Sequence, residues 1–172
     1  MRATEPDAAG MALGNPTSFD EFFRASYQRL ARAMLLLTGD RSEAEELAQD
    51  AFVRIYERWE RVQKMESQDG YLFRTAMNLH RKRLRRLAVQ ARRRPQAQEG
   101  WDQIRSVETR ADLLRALSRL RHSHREVLVL VDWLGLGSEE AGRVLGLSAE
   151  AIRARLHRAR VALRQVAGGS HD

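Results

Sequence analysis

Apolar side chains recur at steps of three and four residues along most of the chain, which is the period of an amphipathic helix. The longest early series is Phe19, Phe22, Phe23, Tyr27, Leu30, Met34 and Leu37. Alternating strand patterns are missing, and so are the residue pairs typical of hairpin turns. The pattern therefore predicts an all-α fold, in which Tyr27 belongs to the core.

Helix starts and polar stretches divide the chain into two helical domains. Ser-x-x-Glu pairs are typical of capped helix starts, and they occur at Ser18 with Glu21, Ser42 with Glu45, and Ser123 with Glu126. We expect one domain over residues 18–87 and a second over 111–167, joined by a flexible linker, residues 88–110. Residues 1–17 and 168–172 are expected to be a flexible leader and tail.

Residues 137–165 predict two helices with a tight turn between them. The first helix begins at Gly137 or Ser138 and stops at Gly146, and Ser148 can cap the second. In the second helix the apolar stripe is Ile152, Leu156, Ala159 and Leu163. A short helix that sets the angle of a longer one is the geometry of a DNA-binding helix-turn-helix.

The second of these helices is strongly basic. Residues 149–165 contain five arginines and one acid, Glu150. An arginine-rich helix is often only a solvated face. The preceding helix and the glycine turn favour DNA binding, because cationic side chains suit phosphates and guanine edges.

The helix predicted after Asp40 is acidic at its start and apolar on its inner face through Ile55, Tyr56 and Trp59. From Asp40 to Asp50 there are five acids and one base, Arg41. Acids at a helix start favour the helix dipole. They also suit a surface for a protein partner. The residues alone leave these two interpretations level.

A third helix of the first domain, residues 69–87, begins with aromatic side chains and becomes basic. Eight basic residues and no acid lie between Arg81 and Arg94. Cations mixed with aromatic surfaces suit single-stranded nucleic acid, which needs phosphate contacts and base stacking. Two basic surfaces, one in each domain, indicate two contacts on one nucleic acid.

Composition narrows the class of protein. The chain has 172 residues, a formal net charge of +7 and no cysteine, so it favours a polyanionic partner and excludes disulfides and cysteine-ligated zinc. It has no apolar run long enough to span a bilayer and no secretory segment at its start, which predicts a cytoplasmic protein. We found no catalytic constellation, phosphate loop or metal motif, and expect neither enzymatic activity nor a cofactor.

Several motifs together resemble the extracytoplasmic-function group of the sigma-70 family, the promoter-recognition factors of bacterial RNA polymerase. In the first domain these are the segments 19–23, 37–40 and 44–52, which resemble region 2 of that family. In the second domain they are 124–128, 145–148 and 152–160, which resemble region 4. The resemblance covers residues 19–165.

The resemblance implies a factor that binds core RNA polymerase and directs it to promoters as a monomer on core. Its acidic second helix would bind core through Glu45, Glu46, Gln49, Asp50 and Phe52, which favours the partner-surface interpretation of the acids. The residues implied to recognise and melt the −10 element are Tyr71, Arg74, Asn78, Lys82, Arg85 and Arg86. Those implied to bind the duplex −35 element are Ser148, Glu150, Arg153, Ala154, Arg155, His157, Arg158 and Arg160. An anti-sigma partner is a further hypothesis.

The sequence departs from the family pattern at Lys82, where an acid is common, at Arg121, where proline is common, and at Gly137, where a serine cap is common. Lys82 bears on base preference at the −10 element, whereas the other two affect helix starts. Two alternatives stay open: a conventional helix-turn-helix repressor or activator that binds duplex operator alone, and a polymerase-binding adaptor such as an anti-sigma protein.

Overall fold

The computed structural model describes residues 18–91 and 108–168, and these ranges are helical throughout apart from short turns. The helices are α1 (Phe19–Thr38), α2 (Arg41–Tyr56), α3 (Trp59–Val62), α4 (Gln68–Ala91), α5 (Glu108–Ser118), α6 (His122–Leu128), α7 (Ser138–Leu145) and α8 (Ala149–Gly168). A π-helical segment, Val129–Trp133, continues α6. The all-α prediction is confirmed. The predicted leader, most of the linker and most of the tail lie outside the described residues.

Local capping fixes the first two helices. The Ser18 hydroxyl accepts a hydrogen bond from the Glu21 backbone N–H at 3.2 Å, as predicted. Gly39 ends α1 with a positive φ of 72°, a conformation that costs glycine little. Asp40 then caps α2 by accepting from the Glu43 N–H at 2.7 Å. The predicted cap at Ser42 is wrong, because the Asp40 carboxylate takes that place and Ser42 lies inside the first turn.

The core of the first domain forms where α1, α2 and α4 pack together. From α4 it receives Leu72, Phe73, Ala76 and Met77, all buried at the steps of one helix face. Tyr27 packs against this core as predicted. Tyr56 does not join the inner face: it ends α2 and is 65% exposed.

Helix α4 runs past the boundary predicted at Leu87 and ends at Ala91. The added residues are Ala88, Val89, Gln90 and Ala91, and three of these four are good helix formers. Val89 is the one large apolar residue among them, so no apolar stripe extended the predicted helix past Leu87. The helix therefore continues into what was predicted to be linker.

The predicted cap at Ser123 is also wrong. Helix α6 begins at His122 after Arg121, whose extended backbone (φ −58°, ψ 141°) makes no side-chain cap. This φ is close to that of proline, which explains why arginine can stand there without changing the helix start. Glu126, expected to complete the cap, is turned inward instead and is 3% exposed.

The two domains contact each other. Helix α4 packs against α7, and α1 packs against the π-helical segment. Arg81 of α4 forms an ion pair with Glu126 of α6 at 2.7 Å. Burial opposes ionisation of Glu126, but the neighbouring His122 and Arg81 outweigh it and lower the carboxyl pKa to about 2. Burial, followed by the charge of His122, lowers the pKa of His80 on α4 to about 4.

Candidate nucleic-acid interface

The turn between α7 and α8 depends on two glycines. Gly146 ends α7 with a positive φ of 70°. At Gly142 the backbone carbonyl accepts from the Leu147 N–H at 2.9 Å, and a Cβ added there would lie 2.5 Å from the Leu147 oxygen. The turn therefore needs glycine at both positions. Gly146 was predicted from the sequence as the end of α7, whereas Gly142 was not, although a glycine inside a short helix is unusual enough to mark it.

Helix α8 has one buried stripe and one exposed basic face. The Ser148 hydroxyl accepts from the Ala151 N–H at 3.1 Å and caps the helix, as predicted. Ile152, Leu156 and Ala159 are buried against the rest of the domain. The predicted −35 residues lie on the other side: Ser148, Glu150, Arg153, Ala154, His157, Arg158 and Arg160 are exposed, and Arg155 is half-buried at the flank. The prediction of a helix-turn-helix with an exposed basic helix is confirmed.

Arg160 differs from the other cations of this face because an acid holds it. Its guanidinium donates to both carboxylate oxygens of Asp132, at 3.1 Å from Nε to Oδ2 and 2.5 Å from Nη2 to Oδ1. The hydrogen bond to Asp132 raises the pKa of Arg160. Asp132 lies in the π-helical segment. No local pattern predicts this contact, since the two residues are 28 positions apart.

The exposed face of α4 collects the predicted −10 residues. Arg74, Asn78, Lys82 and Arg85 follow each other at steps of four, four and three, and all are exposed. Arg86 lies beside them. Tyr71, at the start of the same series, is half-buried, and its hydroxyl accepts from Arg58 at 3.2 Å. The structure thus brings all six residues to one side of one helix.

Two arginines of the basic run on α4 do not belong to that face. Arg81 donates to Glu126. Arg83 forms ion pairs with Glu43 at 3.2 Å and with Glu46 at 2.7 Å. The run is therefore not one continuous basic surface, because acids distant in sequence bind alternate members of it.

The acidic helix α2 presents Glu46, Gln49 and Asp50 to solvent. Glu45 is half-buried and accepts from Arg41 one turn earlier at 2.9 Å. Phe52 is 3% exposed and lies within an aromatic cluster, 4.9 Å from the Phe23 ring and 5.9 Å from the Phe22 ring between centroids. Four of the five predicted polymerase contacts thus have solvent-accessible polar side chains, and Phe52 is a core residue.

Comparison with known proteins matches both domains. Residues 22–89 match the family model Sigma-70 region 2, and residues 110–163 match Sigma-70, region 4. An RNA polymerase sigma-E factor of Streptomyces avermitilis is 34% identical over 158 residues, which cover 90% of this chain and 88% of that protein. The chain belongs to the extracytoplasmic-function group of the sigma-70 family.

A further curated protein and two solved structures are also similar to the chain. ECF RNA polymerase sigma factor SigE of Mycolicibacterium smegmatis is 32% identical over 170 residues, which cover 92% of this chain and 64% of that protein. Among solved structures, the sigma factor RpoE in complex with the anti-sigma factor NepR, from Bartonella quintana, superimposes with a TM-score of 0.74 at 21% identity, covering 86% of this chain and 95% of that chain. CnrH in complex with the cytosolic domain of CnrY gives a TM-score of 0.63 at 25% identity, covering 88% of each chain. The first of these likenesses concerns the fold alone.

Family membership decides between the alternatives left open by the sequence. A conventional repressor needs only the helix-turn-helix, whereas here the region 2 domain matches as well. An adaptor without a recognition helix is excluded by the region 4 match. Among the described helices, none is long and apolar enough to cross a membrane.

Proposed function

We propose that this sigma factor binds core RNA polymerase through α2, recognises and melts the −10 element with α4, and reads the duplex −35 element with α8. The observation that most strongly supports this proposal is the exposed basic face of the helix-turn-helix. The polymerase catalyses RNA synthesis, so the chain needs no catalytic activity or cofactor of its own. It acts in the cytoplasm, where the polymerase works.

The polymerase-binding surface comprises Glu45, Glu46, Gln49 and Asp50. They lie on the solvent side of α2, opposite the buried side chains of Leu47, Ala48 and Ala51. An acidic surface on a chain of net charge +7 favours a partner with basic side chains, since opposite charges steer association. Phe52 supports this surface from inside the domain.

The −10 surface is the face of α4 formed by Tyr71, Arg74, Asn78, Lys82, Arg85 and Arg86. Its cations suit the phosphates of the melted strand, and Tyr71 supplies a ring on which an unpaired base can stack. The energy gained from unpaired, bound bases shifts the duplex toward the open form. Lys82 adds a positive charge where an acid is common in the family, which favours phosphate contact at that position.

The −35 surface is the exposed face of α8. Glu150, Arg153 and Ala154 lie near its N-terminus, the part of a recognition helix that meets base edges in the major groove. Arg155, Arg158 and Arg160 are placed for phosphates or bases, and the helix start at Ser148 offers backbone N–H groups to a phosphate. His157 lies between them on the same face.

An anti-sigma protein is the regulatory partner we propose. Among the solved structures of similar fold, the sigma factor RpoE is bound to the anti-sigma factor NepR, and CnrH is bound to the cytosolic domain of CnrY. Capture of the free chain by a partner of this class would keep it from core. On core, we propose that it acts as a monomer.

The decisive experiment is promoter-specific transcription from purified core polymerase, this chain and genomic DNA fragments. We expect defined transcripts only when both proteins are present, and their start sites reveal the two promoter elements. Salt-sensitive binding of the chain alone to duplex DNA, with no core binding, would contradict the proposal.

The contact with core polymerase is tested with Asp50→Ala, because Asp50 is exposed. Glu46 also forms an ion pair with Arg83, so its substitution would change the packing of the chain as well as polymerase binding. The affinity for core should fall about tenfold, the usual scale for losing one charged interface contact. Glu60→Ala is the matched control, since Glu60 is an exposed acid on α3 outside the proposed surface. Equal affinity of both variants and the parent would remove Asp50 from the interface.

A further inference from the structure

Helix α6 packs against α8, and cationic side chains from both helices meet beside this contact. The α6–α8 cluster has four members, Arg121, His124, Arg155 and Arg158. Arg121 directly precedes α6, and its carbonyl accepts from the His124 N–H at 2.9 Å, so these two residues share the first turn. Arg121 and Arg158 are exposed, whereas His124 and Arg155 are half-buried. The cluster is therefore open to solvent.

The charged groups that act on His124 are all positive. Burial lowers the pKa of His124 most, and the charges of Arg121, Arg158 and Arg155 lower it further. Within residues 18–91 and 108–168, no acid forms an ion pair with any member of the cluster. Arg160, farther along α8, differs because it is paired with Asp132. Cations that repel one another without an acidic partner favour an anion from another molecule.

The charge of Arg121 has no role in starting α6. The backbone of Arg121 (φ −58°, ψ 141°) suits proline, and its side chain makes no cap. Proline is common at this position in the family, and it has neither a charge nor an N–H. The arginine thus adds to this chain an exposed cation that the helix start does not need. That cation is available to a partner.

The position of the cluster beside α8 favours a DNA phosphate as the anion. A helix with its side chains is about 10 to 12 Å across, and the major groove is about 12 Å wide. Residues on the flanks of a recognition helix therefore meet the strands that border the groove. Arg155 lies on such a flank, directly after Ala154, which is placed for base edges. Arg121 and His124 continue this flank from α8 onto α6.

We propose that the α6–α8 cluster clamps a phosphate of the DNA strand that borders the −35 element. This inference rests on the proposed function and adds Arg121 and His124 to its DNA-binding surface. Protonated His124 contributes most, because both ring nitrogens then donate. A phosphate contact from α6 fixes the position of α8 on the duplex without reading its sequence.

Arg121→Gln tests the clamp through the salt dependence of promoter binding. The measurement is the affinity of holoenzyme, formed from core and the full chain, for one promoter across a range of potassium chloride concentrations. The log–log slope should become smaller by about one unit, and the affinity should fall about fivefold. Arg164→Gln is the matched control, because it removes an exposed arginine of α8 outside the cluster. Its slope should equal that of the parent.

Arg121→Pro separates phosphate binding from a structural role. Proline preserves the backbone at the start of α6, so a structural role predicts parental binding, whereas the clamp predicts the same smaller slope as for Arg121→Gln. Promoters with single neutral methylphosphonates then locate the contact. At one or two positions beside the −35 element, the substitution should weaken binding of the parent and leave Arg121→Gln unchanged, because that variant already lacks the contact.

The histidine is tested by the pH dependence of the same affinity. A phosphate favours the protonated ring, so the affinity of the parent should rise about threefold from pH 7.5 to pH 6. His124→Gln keeps a polar side chain but cannot take up the proton, so its affinity should rise less. Equal pH dependence in variant and parent would remove His124 from the clamp.

Parental salt slopes for both Arg121→Gln and Arg121→Pro would overturn the clamp. With such slopes, stabilisation of the free chain by inorganic phosphate that requires Arg121 would assign the cluster to a free anion. Weaker binding to core alone would assign it to an acidic surface of the polymerase. Failure of the proposed function is a different result, because the parent would then give no promoter-specific transcripts.

Discussion

Helices α4 and α8 are both long, amphipathic and rich in arginine, yet they use their charges differently. On α4, Arg81 and Arg83 bind acids from α6 and α2, and the remaining cations form the exposed face. On α8, Arg153 and Arg158 are exposed, and Arg160 is held by Asp132. The inner faces differ too, since α4 buries His80 whereas the α8 stripe is apolar.

This difference shows that the number of cations in a helix does not measure its DNA-binding surface. Helix α4 lies between α2 and region 4, so arginines on its flanks meet acids from both sides. Helix α8 lies at the edge of region 4 and packs along one stripe. Position in the fold therefore decides which arginines are available to phosphate.

The largest effect is expected from acid. His80 has a pKa of about 4 in the folded chain, below its ordinary value, so the unfolded chain takes up the proton first as the pH falls. The free energy of unfolding should decrease by about 3 kcal/mol between pH 6.5 and 4. Glu126, whose pKa is lowered to about 2, stabilises the fold above pH 4.5 and loses that contribution as the pH falls toward 2. Urea unfolding at pH 7, 5.5 and 4.5 measures the first of these windows.

His80→Leu isolates the contribution of the histidine. The variant replaces the imidazole by an apolar side chain of similar size on the inner face of α4, so its free energy of unfolding should change less across pH 6.5 to 4.5. His122, Glu126, Arg125 and Arg81 face His80 in the parent and are unchanged in the variant. An identical pH slope in variant and parent would assign the acid sensitivity to other groups.

Arg153→Ala tests the exposed face of α8. Loss of a base contact in the major groove costs about 1 to 3 kcal/mol, so initiation at a −35-dependent promoter should fall by about tenfold or more. The measurement is abortive transcription at holoenzyme concentrations below those that saturate the promoter. Arg164→Ala is the matched control, because Arg164 is exposed on the same helix beyond the proposed surface. Equal losses in both variants would point to net charge rather than to recognition.

Arg85→Ala tests the exposed face of α4. A phosphate contact contributes without regard to sequence, so the variant should weaken open-complex formation on all promoters to a similar, smaller extent. It should also reduce the salt dependence of promoter binding by about one unit in the log–log slope. The measurement is open-complex stability across a range of salt concentrations. A loss confined to one −10 sequence would instead make Arg85 a base contact.

Local patterns predicted much of this fold. The apolar stripes gave α1, α4 and α8, and glycine marked the ends of α1 and α7. The caps at Ser42 and Ser123 were wrong because each prediction used a pattern of four residues. Asp40 lies two residues before Ser42 and caps α2 in its place. In the second pattern, Glu126 points inward and binds Arg81.

The predicted DNA-binding residues were found on two faces because helical spacing alone brings them together. Long-range pairs were not predictable. Arg81 with Glu126, Arg83 with Glu46, and Arg160 with Asp132 join residues 28 to 45 positions apart. No local rule selects such partners among the many charges of this chain. Phe52 illustrates the same limit, since its place in the aromatic cluster depends on how α1 and α2 pack.

The smallest effect concerns Asp132, the acid that makes Arg160 unlike the other arginines of α8. The pair is about half exposed, so Asp132→Ala should change the free energy of unfolding only slightly, because solvent screens exposed ion pairs. If Arg160 leaves Asp132 to bind a phosphate, the released arginine should raise promoter affinity by about threefold, measured by competition between holoenzymes for one promoter. Arg160→Ala should lower the affinity in the same assay. A lower affinity for Asp132→Ala would instead show that Asp132 orients the recognition helix. In that case, removal of Asp132 weakens promoter binding instead of releasing Arg160 to bind the DNA.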